Sequence, residues 1–122
     1  MATILVVDDD PNNCLLVATV LEPRGHRVRA AYNAADALSA IADDEPDLIV
    51  LDLSMPGGTG ADFLKALRCE RDSTVVLYTA TRPDAAMHDF MELFNVCAVL
   101  EKPAEPATIV EVLEKALSSR IN

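Results

Sequence analysis

Five times along this chain a short apolar run meets a polar residue or turn and gives way to a longer segment with apolar residues at helical spacing. The runs are 3–7 (Thr-Ile-Leu-Val-Val), 27–31 (Arg-Val-Arg-Ala-Ala), 47–51 (Asp-Leu-Ile-Val-Leu), 74–78 (Thr-Val-Val-Leu-Tyr) and 97–100 (Cys-Ala-Val-Leu). Strands this short, and apolar at consecutive positions, are buried on both faces. When helices separate them, the sheet is parallel and covered on both sides.

Local signals place the helices. Pro11 opens the first, since its missing N–H costs nothing at the first helical position. Leu15, Leu16, Thr19, Val20 and Pro23 are expected on its inner face, and Arg24-Gly25 is its stop. Asn33 caps a helix running through Ala42, with Ala34, Ala37, Leu38 and Ile41 inward. Residues 61–68 form a third helix with Phe63, Leu64 and Leu67 inward. A fourth covers 84–94 with a Met87/Phe90/Met91/Phe94 stripe, read as core packing. The last spans 105–119 with Ile109, Val112, Leu113 and Ala116 inward.

The expected fold is therefore α/β, a flavodoxin-like (βα)5 doubly wound sandwich with strand order 2-1-3-4-5. The second run alternates with arginine, as suits an edge strand. At 122 residues the chain has the size of one domain, spanning 1–122.

The net charge of −10, from 20 acidic and 10 basic residues, argues against direct binding to nucleic acid or to an anionic membrane. Cys14, Cys69 and Cys97 show no CxxC or Cys/His spacing, so they read as mostly buried thiols in a reducing compartment. Ile4–Val7 is too short for a signal peptide, and no run approaches a membrane span. A cytoplasmic location is expected. His26 and His88 are isolated and are expected at the surface.

Ligands of open α/β sheets bind beyond the carboxyl ends of the strands. There the sequence puts Asp8, Asp9 and Asp10 after the first strand, Asp52 after the third, Thr79 after the fourth and Lys102 after the fifth. Asp10 precedes Pro11 and reads as a helix cap. The remaining carboxylates would repel one another unless a hard cation joined them, and Mg2+ prefers such oxygen donors. Asp9 and Asp52 are the expected direct ligands, with Asp8 acting through water and the Ser54 backbone carbonyl completing the set. With Lys102 offsetting charge, the Asp52 carboxylate can attack a phosphoryl group. The Gly57-Gly58-Thr59-Gly60 loop lacks the GxxxxGK[ST] phosphate-loop pattern.

Four pieces in order, Val-Val-Asp-Asp-Asp at 6–10, Leu-Asp-Leu-Ser-Met-Pro-Gly-Gly-Thr-Gly at 51–60, Tyr-Thr-Ala at 78–80 and Leu-Glu-Lys-Pro at 100–103, carry a resemblance over nearly the whole chain. The sequence resembles the receiver domain of two-component response regulators, including the chemotaxis type. That resemblance implies that Asp52 is the phosphoacceptor, Asp8 and Asp9 the acidic pair, Thr79 the switch hydroxyl, and Lys102 the family lysine before a cis-Pro103. It implies a regulator rather than an enzyme. Its partners are a histidine kinase or histidine phosphotransfer protein upstream, and a downstream protein or linked output domain. On phosphorylation, Thr79 would move toward the phosphoryl group and the surface of the fourth helix, fifth strand and fifth helix would rearrange.

The sequence departs from the family at Val99, where an aromatic residue usually stands three positions before the lysine; signalling is then expected to rely on Thr79 and backbone motion. Ser54 and Thr81, two past Asp52 and two past Thr79, are small and uncharged. Two other readings remain at this stage. One is an aspartyl-nucleophile hydrolase with Asp8 as nucleophile and Asp10 as general acid, which the acidic turn faintly resembles. The other is an interaction module that is never phosphorylated.

Overall fold

The computed structural model describes residues 2–52, 74–80, 85–94 and 96–119. The Ser54 carbonyl, Thr81, Cys69, the glycine loop and the helix expected over 61–68 lie outside the described residues. So do the side chains of Met87, Phe90 and Phe94.

In chain order the elements are β1 (Thr3–Val7), α1 (Pro11–Leu21), a 3-10 turn (Glu22–Arg24), β2 (Arg27–Ala31), α2 (Ala34–Asp43) and β3 (Leu48–Leu51). They continue with β4 (Val75–Thr79), a helix designated α3 (Ala85–Phe94), β5 (Val96–Glu101) and a helix designated α4 (Pro106–Ser119). All strand pairs are parallel, in the order β2-β1-β3-β4-β5. The fold class and strand order are those the alternation predicted.

Alternation within each strand sorts the core into two layers. Ile4, Val6, Leu48, Val50, Val76 and Tyr78 face a layer completed by Val17 and Leu21 of α1 and by Ile109 and Leu113 of α4. Leu5, Val7, Ile49, Leu51, Val75 and Leu77 face a layer completed by Ala37 and Ile41 of α2. A fully buried Leu or Ile stabilises by about 1.5–3 kcal/mol, so these layers carry the fold.

Some element bounds and faces differ locally from expectation. Strand β3 starts at Leu48 because Asp47 serves as a clamp. Its N–H donates to the Thr3 carbonyl at 2.7 Å, and its Oδ2 accepts the Thr3 N–H at 2.8 Å. The buried face of α1 is Cys14, Val17 and Leu21, with Leu16 and Val20 partly buried against the core as expected, whereas Leu15 is 65% exposed and Thr19 is exposed, its hydroxyl donating to the Leu15 carbonyl. Helix α1 is apolar at nearly every position from 14 to 21, so the core beneath it, and not its own periodicity, chooses the face. Strand β5 begins one residue early and carries a register shift opposite Val75/Val76. After the 3-10 turn, Gly25 adopts φ +92°, a left-handed geometry that favours glycine.

Candidate functional site

The sheet ladder sets the rim. The Asp8 N–H donates to the Ala31 carbonyl at 3.0 Å and the Asp52 N–H to the Val7 carbonyl at 2.9 Å. The Lys102 N–H donates to the Thr79 carbonyl at 2.9 Å. β1, β3 and β5 are thus each tied to a neighbour one residue past the strand's end, and the polar residue there inherits the rigidity of the sheet.

Asp8, Asp52 and Thr79 are the buried polar residues among those described, at 2%, 6% and 0% exposure. Buried charge is tolerated only when paired. Lys102 supplies the pairing: its Nζ donates to Asp8 Oδ2 at 2.7 Å and to Asp52 Oδ2 at 3.0 Å. Burial pulls the ammonium's pKa down, but the hydrogen bonds and charges of Asp8 and Asp52 outweigh that and leave it above its ordinary value. Lys102 precedes a cis peptide to Pro103.

Asp8 is fixed twice, since its Oδ1 also accepts the Asp10 N–H at 2.9 Å. Asp10 caps α1, accepting the Asn12 N–H at 2.9 Å, as its place before Pro11 predicts. The Cys14 thiol donates to the Asp8 carbonyl at 3.7 Å. Burial first, then the Asp8 and Asp10 charges, push that thiol up to about 11, so Cys14 is a packing residue at neutral pH. Cys97, expected inside, is exposed on β5.

Asp9 is exposed, and its carboxylate comes together with those of Asp8 and Asp52 within 4.8 Å. Among the described residues, three carboxylates converge here and Lys102 pairs with two of them, an excess of negative charge that a hard divalent cation fits. The donor set is all oxygen, as that ion requires.

Val99 is partly buried against the α2-side layer and pairs with Leu77, where it offers no ring. Two features escaped the sequence. Tyr78 is buried, and Lys102 Nζ stands 5.3 Å from its ring centroid; the alternation of β4, which points Tyr78 and Thr79 to opposite faces, was the available signal. At the other end of the sheet Glu114 accepts two hydrogen bonds from Arg24, at 2.7 and 2.9 Å, and lies 3.1 Å from His26 Nε2. The His26 side chain is only 12% exposed, not the surface residue expected. No local pattern announces a pairing across 90 residues of sequence. No described helix is long and apolar enough to cross a membrane.

The family model described as the response regulator receiver domain matches residues 4–114. The sensory/regulatory protein RpfC of Xanthomonas campestris is 34% identical over 95% of this chain, which spans 17% of that protein's length. Protein PilH of Pseudomonas aeruginosa is 26% identical over 97% of the chain, which spans 99% of it. Among solved structures, the chemotaxis protein CheY4 of Vibrio cholerae superimposes with a TM-score of 0.88 at 26% identity, over 95% of this chain and 98% of that one.

Proposed function

From the premise that the chain belongs to the response regulator receiver domain family, we propose that it is a phosphorylation-activated switch whose phosphoacceptor is Asp52. The observation that carries this reading is the buried Asp8–Lys102–Asp52 bridge beside the exposed Asp9 carboxylate. The donor is a phosphohistidine on a histidine kinase or phosphotransfer protein. The recipient of the signal is a downstream protein or a linked output domain. Because the phosphohistidine is made with ATP, the exchange belongs in the cytoplasm.

Asp52 supplies the nucleophilic carboxylate oxygen, forming an O–P bond as the P–N bond to the donor histidine breaks. Asp8, Asp9 and Asp52 would hold Mg2+, together with the Ser54 carbonyl expected from sequence. When bound, the ion supplies positive charge against the transferring oxygens. Lys102 stands with two donors aimed into the same space, where an incoming phosphoryl oxygen can replace a carboxylate oxygen as acceptor. Thr79 presents the switch hydroxyl.

Asp8 is the nucleophile in the rival hydrolase reading. Its two oxygens are committed to the Asp10 N–H and to Lys102, which favours a supporting role. The test is incubation with Mg2+ and a small phosphodonor, read by intact mass. One acid-stable, base-labile phosphate is expected on the wild type and on Asp8→Asn at a reduced rate, and none on Asp52→Asn. Phosphate on Asp52→Asn but not on Asp8→Asn overturns the proposal in favour of the hydrolase, and none on the wild type favours an inert module.

A further inference from the structure

We infer that Tyr78 is a positioning residue for the phosphorylation chemistry: its buried ring carries the Lys102 ammonium over its face and holds it between Asp8 and Asp52. This rests on the function proposed above and adds to it a residue from the opposite face of β4.

Tyr78 is 2% exposed and belongs to the layer with Leu100, Ile109 and Leu113. Its strand neighbours are Val75, Val76 and Leu77, so an aliphatic residue would fill the position without burying a hydroxyl. A tyrosine at the polar end of this strand therefore calls for a reason beyond filling space. The ring face supplies one. Lys102 Nζ is 5.3 Å from the ring centroid, inside the roughly 6 Å over which a ring quadrupole attracts an ammonium. The side chain of Lys102 is 16% exposed, so water screens that attraction little.

The geometry is fixed from both sides. Tyr78 pairs with Leu100 and Thr79 with Glu101, and the Lys102 N–H donates to the Thr79 carbonyl. The ladder that carries Lys102 past the end of β5 thus also sets the ring beneath it. The ring limits how far the four-carbon stem can swing while the two carboxylates direct the head. Lys102 must keep this aim when one carboxylate turns to an incoming phosphoryl group. At that moment the ring remains as a contact that does not take part in the reaction. Tyr78 does not replace the aromatic missing at Val99. Val99 packs on the other face of the sheet, so the ring here is a fixed support rather than a moving part.

The test compares phosphorylation rates of full-length wild type, Tyr78→Phe and Tyr78→Leu with Mg2+ and a phosphoramidate-class donor, read by intact mass. A series carrying mono-, di- and trifluorophenylalanine at position 78 keeps the shape while draining charge from the ring face. Tyr78→Phe is expected within twofold of wild type and Tyr78→Leu about fivefold slower. The rate should fall stepwise with each fluorine while Tm stays constant, a trend that simple packing does not produce. Should Tyr78→Leu fail to fold, the fluorinated series decides. Equal rates for leucine and wild type, or for all fluorinated rings, overturn the inference while leaving the Asp52 reading intact. Absence of phosphate on the wild type overturns the parent reading and this one together.

Discussion

Among the described residues, two of the clusters that join carboxylates to cations lie at opposite ends of one sheet, and only one of the pair is built like a site. At the carboxyl ends of β1, β3 and β5, the ammonium of Lys102 pairs with the buried Asp8 and Asp52, and the exposed Asp9 carboxylate converges with those two. At the amino end, Glu114 is met by both Arg24 and His26, with the Arg24 side chain 52% exposed. The second cluster is balanced by its own residues and wetted. It fastens α4 to the turn before β2. The first keeps a surplus of negative charge beside two buried carboxylates, and that surplus suits a cation. An ion pair alone marks nothing; burial together with imbalance does.

Breaking the two clusters should separate them sharply. Lys102→Ala takes from the buried Asp8 and Asp52 the ammonium that bridges them. A stability loss of about 3 kcal/mol is expected in urea titrations without divalent ions, with much of it recovered when Mg2+ is added. The same variant should take up phosphate about 100-fold more slowly. A loss no larger than that of an exposed pair would mean that the rim is an ordinary surface cluster.

A smaller effect is expected from Asp9→Asn, which removes an exposed carboxylate without disturbing the Lys102 bridge. Mg2+ affinity should fall about tenfold, read as the midpoint of the Mg2+-dependent rise in Tm. An unchanged midpoint would remove Asp9 from the ligand set.

The smallest effect belongs to Glu114→Gln. Hydrogen bonds from Arg24, then from His26, hold the Glu114 carboxyl well down, at about 2. A carboxyl whose pKa is lowered on folding stabilises above its unfolded value of 4.5 and loses that share as pH falls through about 2. The variant should therefore differ slightly from wild type between pH 5 and 7, and the gap should close between about pH 4.5 and 2. Phosphate uptake should not change. A gap that widens in acid would contradict the assignment.

How much of this the sequence disclosed follows from which contacts are local. The strands are runs of Val, Ile and Leu bounded by turn residues, and their order follows from handedness and from the polar second run. The rim residues were legible because each one ends a strand and the topology brings strand ends together. The face of α1 was legible only in part: Leu16 and Val20 pack inward, but a helix apolar nearly all round offers no clear stripe, so Cys14 and not Leu15 is buried. Glu114 with Arg24 and His26, and Tyr78 with Lys102, were not legible. Each joins residues distant in sequence through side-chain geometry that no spacing rule encodes. Position 78 comes closest to an exception, since alternation along β4 already fixes its face.

The central claim is that the charge surplus at the rim makes Asp52 a phosphoacceptor. The most direct measurement is chemical mapping: treat the protein with Mg2+ and a small phosphodonor, reduce the product with borohydride, and sequence its peptides by mass spectrometry. An acyl phosphate is reduced to the alcohol, so homoserine should replace aspartate at position 52 alone, and only in samples that received both Mg2+ and donor. Homoserine at Asp8 or Asp9, or none at any aspartate while the protein remains folded, would contradict the account.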